Sequence, residues 1–127
     1  MEKEFVPYAP SLRLKALGFD EPCFGYYKYD ELIIEGRYKN SDHGFSISAP
    51  TFSQAFRWFR EKHDLFSSEV YDRGLNNGKI PVIHSYSFRI LNLNNFEDFY
   101  GKIFNTYEEA ELDCLEKLLE IVESKSK

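Results

Sequence analysis

The sequence predicts an α+β protein: an antiparallel sheet of five or six strands, two main helices packed on one face, and a short N-terminal helix. Two observations predict this class. Aromatic and β-branched runs with strand alternation follow one another, and each group of runs ends in a single helical pattern. Regular β-α-β alternation is missing, which favours an α+β fold over an α/β fold. A chain of 127 residues fits one domain, 1–127, with a frayed tail over 124–127.

The first elements follow from cap and turn signals. Ser11 is placed to cap a short helix, SLRLKAL, and Gly18 is the residue expected just past its end. The runs CFGYYKY and LIIEGRY flank a polar turn at Asp30-Glu31, which predicts a β-hairpin. FSISA alternates as a half-buried strand does.

A central helix is predicted in the stretch SAPTFSQAFRWFREKHDLF. Thr51 and Gln54 form the S/T-x-x-E/Q capping box that satisfies backbone donors at a helix start. At about 100° per residue, four residues share its apolar face: Phe52, Ala55, Phe56 and Phe59. Trp58 lies to one side of that face, and Arg57 and Arg60 point away from it. The mixture of rings and cations is therefore mostly helical periodicity.

The second half of the chain repeats the order of strands and then a helix. FSSEVYD, PVIHSYSFRIL and FEDFYGKIF read as strands, with Asn77-Gly78 in the turn between the first two. A final helix is predicted from Thr106 to about Glu123. Its apolar face comprises Tyr107, Ala110, Cys114, Leu115, Leu118, Ile121 and Val122.

The two helix starts, TFSQA and TYEEA, match in kind at all but the third position. The match fits a duplicated unit of strands followed by a helix. It also fits two independent uses of one good helix start, which we prefer.

Three segments resemble a group of small uncharacterised proteins encoded by Bacteroidetes and their phages or prophages. They are LKALGFDEPCFGYY, SAPTFSQAFRWFREKHDL and FNTYEEAELDCLEKLLEIV, and SQAFRWFREK is the most specific part. The resemblance implies a bacterial cytoplasm and carriage on a phage or mobile element. It brings no catalytic residues to this chain.

Composition weighs against several function classes and leaves a local nucleic-acid-binding patch open. The formal net charge is −5 and the pI is about 5.2, and no segment is basic enough for general binding of nucleic acid. The N-terminus lacks the basic and apolar regions of a signal peptide, and no apolar run reaches the roughly 20 residues of a membrane span. We therefore expect a soluble cytoplasmic protein that makes no membrane contact.

Reactive groups are sparse. Cys23 and Cys114 fit no metal or redox spacing, and we expect two buried, reduced thiols. The sequence contains no nucleotide fingerprint, phosphate-binding glycine loop or metal-ligand spacing, so no cofactor and no metal is predicted. Whether the protein is an enzyme stays open, with the sequence favouring a non-catalytic protein.

Two sets of aromatic residues are candidate sites. Trp58 between Arg57 and Arg60 has the composition of a protein–protein hot spot, or of a base-stacking site whose arginines hold phosphate. The alternative is that Trp58 completes the edge of the core. The second set is a tyrosine-rich hairpin with Tyr26, Tyr27, Tyr29 and Tyr38. Because side chains alternate along a strand, one of its faces should expose tyrosine unless the first helix covers it.

The histidines support a different candidate. His43, beside Asp42 in a loop, has the composition of a base held in its tautomer by a carboxylate, and His84 lies on an apolar strand face. A solvated loop residue and a hydrogen-bonded core imidazole are the competing interpretations. His63 ends the central helix, where the dipole favours a cation.

These observations favour a non-catalytic protein-interaction module that binds another protein or itself. The candidate partner-binding residues are Arg57, Trp58, Arg60, Tyr26, Tyr27 and Tyr29. One alternative is an enzyme or small-ligand binder with a site near the aromatic hairpin and His43 or His84. Another is a nucleic-acid-binding accessory protein that uses Arg57, Trp58 and Arg60.

Overall fold

Strand β1 (Cys23–Lys28) begins just after Pro22 and buries every second side chain on its inner face. The computed structural model describes residues 2–42, 44–76 and 80–125. In these ranges β1 is the central strand of a three-stranded antiparallel sheet. Its neighbours are β2 (Glu31–Tyr38) and β3 (Ile47–Ala49). The predicted hairpin and the following strand are therefore present.

Helix α1 (Tyr8–Ala16) starts earlier than its sequence pattern indicates. Ser11 is not the N-cap: its side chain is fully buried and its hydroxyl donates to the Val6 carbonyl at 3.1 Å. Pro10 is tolerated in the first turn because backbone N–H groups there have no partner within the helix. The predicted end is confirmed, since Gly18 follows with φ of +94°.

Helix α2 (Phe52–His63) has the predicted start, with half of the predicted capping box. The Gln54 backbone N–H donates to the Thr51 hydroxyl oxygen at 3.2 Å. The Gln54 side chain does not reach back to the cap, because its amide donates to the Pro22 carbonyl at 2.8 Å. The predicted apolar face is confirmed, with Phe56 half-buried and the other members buried.

A second three-stranded antiparallel sheet follows, in the order β4 (Leu65–Asn76), β5 (Ile80–Asn92) and β6 (Glu97–Tyr100). The predicted turn residues Asn77 and Gly78 lie outside the described residues. Helix α3 (Tyr107–Lys125) comes last, and its N-cap Thr106 accepts the backbone N–H of Glu109 at 3.3 Å. The predicted apolar face of α3 is buried except for the half-buried Tyr107.

The α+β class and the three helices are confirmed, but the single sheet of five or six strands with two helices on one face is not. The described strands form two separate sheets of three. Each strand pairs with strands near it in sequence. Strand β3 ends at Ala49, because Pro50 has no backbone N–H with which to continue the pairing, and the backbone groups of β4 are satisfied by hydrogen bonds along the length of β5. The described residues contain six strands, within the predicted five or six, but these pair as two sheets of three and not as one sheet.

The chain groups into two compact units, residues 1–58 with 119–127, and residues 59–118. In the first unit, Phe5, Tyr27 and Ala49 form a buried cluster against which Tyr8 and Leu32 pack. In the second unit, apolar residues of β4, β5 and α3 are buried: Leu65, Phe88, Ile90, Ala110, Cys114, Leu115 and Leu118. The expectation of one domain over 1–127 stays a prediction.

The sheet orders bear on the repeated helix start. In the first sheet the strand that comes first along the chain, β1, is central, whereas in the second sheet the middle strand, β5, is central. A duplicated unit would keep the same strand at the centre. The topology therefore favours two independent uses of one helix start.

Within the described residues, no helix has both the length and the apolarity that crossing a membrane would need.

Candidate functional site

The outer side of the β1–β2 hairpin carries partly exposed aromatic side chains that contact one another, and two of them, Tyr26 and Tyr38, belong to the predicted tyrosine-rich hairpin. Strand alternation turns Cys23, Gly25 and Tyr27 inward, and Phe24 and Tyr26 outward. Phe24 is 56% exposed and Tyr38, at the end of β2, is 42% exposed. We use the name hairpin face for this surface, which comprises Phe24, Tyr26, Glu35, Arg37 and Tyr38.

Contacts between the two strands fix the side chains of the hairpin face. The Arg37 guanidinium carbon lies 5.1 Å from the centre of the Phe24 ring, a cation–π contact. The rings of Tyr26 and Tyr38 meet edge to face, with centroids 5.9 Å apart and planes at 89°. The Tyr26 hydroxyl donates to the Glu35 carboxylate at 2.9 Å, and this hydrogen bond raises the pKa of Tyr26. The surface is therefore preordered in the free protein.

An irregularity in β2 makes this arrangement possible. Ile34 pairs with Gly25 and Tyr38 with Cys23, so that β2 carries extra residues opposite Phe24. Gly36, inside this bulge, has φ of +66°, a conformation in which glycine alone is unstrained. A Cβ at position 36 would collide with the Tyr38 ring. Gly36 therefore both turns the strand and leaves room for Tyr38.

We predict that Gly36→Ala destabilises the protein by about 1–2 kcal/mol through backbone strain. It should also displace the Tyr38 ring from Tyr26, which NOE contacts between the two rings would detect. Gly44→Ala is the matched control, because its added methyl group meets no atom within 4 Å and its φ is not positive. Equal effects of the two substitutions would contradict a special role for Gly36.

The tyrosines singled out in the sequence have three different environments. Tyr27 is buried, its hydroxyl donates to the Val6 carbonyl at 2.9 Å, and Tyr8 of α1 packs edge to face on its ring. Helix α1 thus covers the inner side of the hairpin, and Tyr27 is a core residue. Tyr29 is 82% exposed in the turn after β1, with φ of +61°. Of the three predicted partner-binding tyrosines, only Tyr26 lies on the hairpin face.

Trp58 is only 4% exposed, which corresponds to the core-edge alternative of the sequence analysis. Its indole packs against Phe19 with centroids 5.4 Å apart. Arg57 and Arg60 are exposed on α2, and a guanidinium nitrogen of Arg57 lies 3.7 Å from the Glu21 carboxylate. Trp58 is therefore buried while Arg57 and Arg60 are exposed. A protein–protein hot spot or a base-stacking site centred on Trp58 would need the indole on the surface, and it is not there.

The side chains of His43 and His84, on which the enzyme alternative depends, are not among the described parts of the structure. His43 lies outside the described residues, and only the backbone of His84 is described, within β5. His63 ends α2 as predicted, where its carbonyl accepts the Asn94 side-chain amide at 2.9 Å and its ring lies 6.0 Å from that of Phe59. The position of His63 is thus accounted for by helix termination.

Both cysteines are buried and free, as the sequence predicts. Burial raises the pKa of the Cys23 thiol to about 12, and the neighbouring Glu21 adds to the effect. Burial likewise raises the pKa of Cys114 to about 12, with Asp113 and Glu111 contributing. Neither thiol forms an appreciable amount of thiolate at neutral pH, so neither is suited to nucleophilic chemistry. In the described part of the chain, no group of three His, Cys, Asp or Glu side chains could hold a metal ion.

Comparisons with protein-family models, curated proteins and solved structures return no match for the chain. The resemblance to proteins of Bacteroidetes and their phages therefore stays a prediction.

Sequence reasoning missed three residues of the hairpin face: Phe24, Glu35 and Arg37. Phe24 carried a usable signal, since it lies two residues from Tyr26 and so shares its side of the strand. No sequence signal identified Glu35 and Arg37, because the bulge at Gly36 shifts the pairing of β2 with β1 and so changes which side chains of β2 lie on the outer side of the hairpin.

Proposed function

We propose that this protein is a small non-catalytic interaction module that binds another protein through the hairpin face. Its proposed setting is a bacterial cytoplasm, with carriage on a phage or mobile element. Both parts of that setting depend on the sequence alone.

The observation that carries the proposal is an exposed aromatic surface whose side chains are already ordered. Phe24, Tyr26 and Tyr38 are held by cross-strand ring and cation contacts and not by burial. Binding through such side chains costs little conformational entropy, because their rotamers are fixed before the partner arrives. Tyrosine and arginine are also enriched among the residues that contribute most to protein–protein affinity.

The charge of the hairpin face favours a protein over a nucleic acid. Arg37 is its cation and Glu35 its anion, so the face has no excess of positive charge to attract phosphates. Polar groups at the margin of an apolar centre are typical of protein interfaces. The partner is therefore expected to present an apolar patch with polar groups around it, and a second copy of this chain is one such candidate.

The test is a comparison of two phenylalanine substitutions. Phe24→Ala removes the ring under Arg37, whereas Phe45→Ala removes a ring that is 99% exposed in the loop before β3. We expect Phe24→Ala to abolish the capture of specific partners in affinity purification, or the self-association seen by analytical ultracentrifugation. Phe45→Ala should leave both unchanged.

Circular dichroism and thermal melting would establish that both variants keep the fold. Loss of binding in both variants would point to a general effect of surface apolarity, and retention of all binding in Phe24→Ala would overturn the proposal. Salt-sensitive retention of the wild-type protein on nucleic acid, unaffected by Phe24→Ala, would favour the accessory role in nucleic-acid binding.

A further inference from the structure

Strand β4, in the second unit, has an open edge that shares no residue with the hairpin face. Within the described residues β4 pairs with β5 alone, whereas β5 pairs with β4 on one side and β6 on the other. Exposure agrees with these positions, since no residue of β5 over 85–92 is exposed, whereas four residues near the start of β4 are: Phe66, Ser68, Glu69 and Val70. This edge of β4 therefore faces solvent.

The hydrogen bonds of the sheet determine which backbone groups of β4 reach the open edge. The residue pairs of an antiparallel ladder alternate between hydrogen-bonded and non-hydrogen-bonded, so one bonded pair sets the others. The Leu93 N–H donates to the Asp64 carbonyl at 3.0 Å, and the even-numbered residues that follow Asp64 therefore bond to β5. Phe88, opposite Glu69, agrees with this, because its carbonyl accepts a backbone N–H from the β6 side. The N–H and C=O groups of Ser67 and Glu69 thus point to the open edge.

The side chains of this run match a reversed copy of the same run. On the side of the sheet away from α3, Ser68 lies between Phe66, which is 38% exposed, and Val70, which is 41% exposed. If two copies of β4 meet antiparallel about a two-fold axis at Ser68, each Phe66 lies opposite Val70 of the other copy. Aromatic and β-branched side chains make favourable cross-strand pairs. The outward backbone groups of Ser67 and Glu69 also fall opposite each other, as the ladder requires.

Neighbouring registers fit less well. An axis at Glu69 would place two carboxylates directly opposite each other, which is destabilising. An axis at Ser67 would place Phe66 opposite Ser68, and an axis at Val70 would place Phe66 opposite a glycine. Of these registers, the one centred on Ser68 pairs Phe66 with an apolar residue, and over residues 65–71 it opposes no like charges.

We propose that the open edge of β4 binds a second copy of the chain, with the two-fold axis at Ser68. The two three-stranded sheets would then form one six-stranded sheet, in the order β6-β5-β4-β4-β5-β6. Each copy provides hydrogen-bond partners for the outward backbone groups of the other. The same surface serves both copies, so the contact closes at two chains. A second copy is favoured over an unrelated peptide because the side-chain pattern matches its own reverse.

A charge placed at the axis tests this contact in the full chain by analytical ultracentrifugation. Ser68→Lys would set two ammonium groups against each other and Ser68→Glu two carboxylates, so each variant alone should lose the dimer that the wild type forms. An equal mixture of the two variants should recover a dimer, because opposite charges then face each other. Ser53→Lys is the matched control, since it adds the same charge at an exposed serine of α2 and should leave the dimer unchanged.

Ser68→Cys tests the register. Opposite residues of a non-hydrogen-bonded pair have Cα atoms about 4.5 Å apart, within the reach of a disulfide. Oxidation by dissolved oxygen should therefore link two copies of this variant covalently. Ser53→Cys should stay unlinked, and the native thiols of Cys23 and Cys114 are buried and do not interfere.

The outcomes separate this contact from the hairpin face. Phe24→Ala should leave the β4 dimer intact, and self-association through the hairpin face is therefore measured in a Ser68→Lys background. A wild-type chain that stays monomeric at about 1 mM would overturn the proposal. So would dimers that persist in both charge variants, a mixture of the two that stays monomeric, or a Ser68→Cys variant that links no faster than Ser53→Cys.

Discussion

Replacing Trp58 by alanine is expected to lower the free energy of unfolding by about 3–5 kcal/mol. The indole is almost completely buried and packs on the Phe19 ring, so its removal leaves a cavity and exposes Phe19. Urea denaturation followed by circular dichroism would measure the loss as a lower midpoint. Trp58→Phe should cost less, because a ring is retained against Phe19.

Arg60→Ala is the matched control on the same helix, since the side chain is exposed. Its effect should stay within about 0.5 kcal/mol of the wild type.

Because the chain has one tryptophan, its fluorescence reports Trp58 alone. Emission should be that of an apolar environment and acrylamide should quench it poorly. Efficient quenching, or a Trp58→Ala variant of wild-type stability, would show that the indole is on the surface.

The second large effect is expected at Asn40, which joins two distant segments of the first unit. Its buried side chain donates to the Phe19 carbonyl at 2.8 Å and accepts the Ser48 backbone N–H at 2.8 Å. Asn40→Asp replaces the donor by a carboxylate oxygen that faces the Phe19 carbonyl. We expect a cost of about 3–5 kcal/mol at neutral pH, from an unsatisfied carbonyl and a buried charge.

The pH dependence of this variant identifies the cause. Burial should raise the pKa of the introduced carboxyl, so part of the lost stability should return as the pH falls and the protonated group can again donate to Phe19. Lys39→Ala, at the exposed position just before, should be nearly neutral. Guanidinium chloride midpoints at several pH values would measure both variants. A pH-independent loss in Asn40→Asp would indicate that the hydrogen bond to Phe19 is not its source.

The sequence was informative wherever the signal was local. Thr51 and Thr106 cap helices as predicted, and Gly18 follows α1, because caps depend on residues within one turn. The predicted N-cap at Ser11 is wrong, because the Ser11 hydroxyl donates to the carbonyl of Val6, which precedes the helix. The division into two sheets was missed because strand alternation identifies a strand without naming its neighbour.

The candidate site was less predictable. Trp58 lies at the border of an apolar helical stripe, and its burial is decided by Phe19, far away in sequence. Tyr26 and Tyr27 are the same residue type, but Tyr27 is buried and Tyr26 is partly exposed, because α1 covers only the inner side of the hairpin. The contact of Arg37 with Phe24 depends on the bulge at Gly36, which no spacing rule places.

Strand β2 is an outer strand of its sheet, and its irregularity has a consequence for how the protein can be recognised. Its regularly paired run, residues 31–34, is short, and the charged residues Glu31, Glu35 and Arg37 flank its apolar residues. Such an edge is a poor template for another chain's backbone, which protects a protein with exposed rings from aggregating through open-ended strand addition. Under the proposed function, recognition would then occur through side chains. Partner preference could therefore change by substitution at single surface positions while the sheet beneath stays the same.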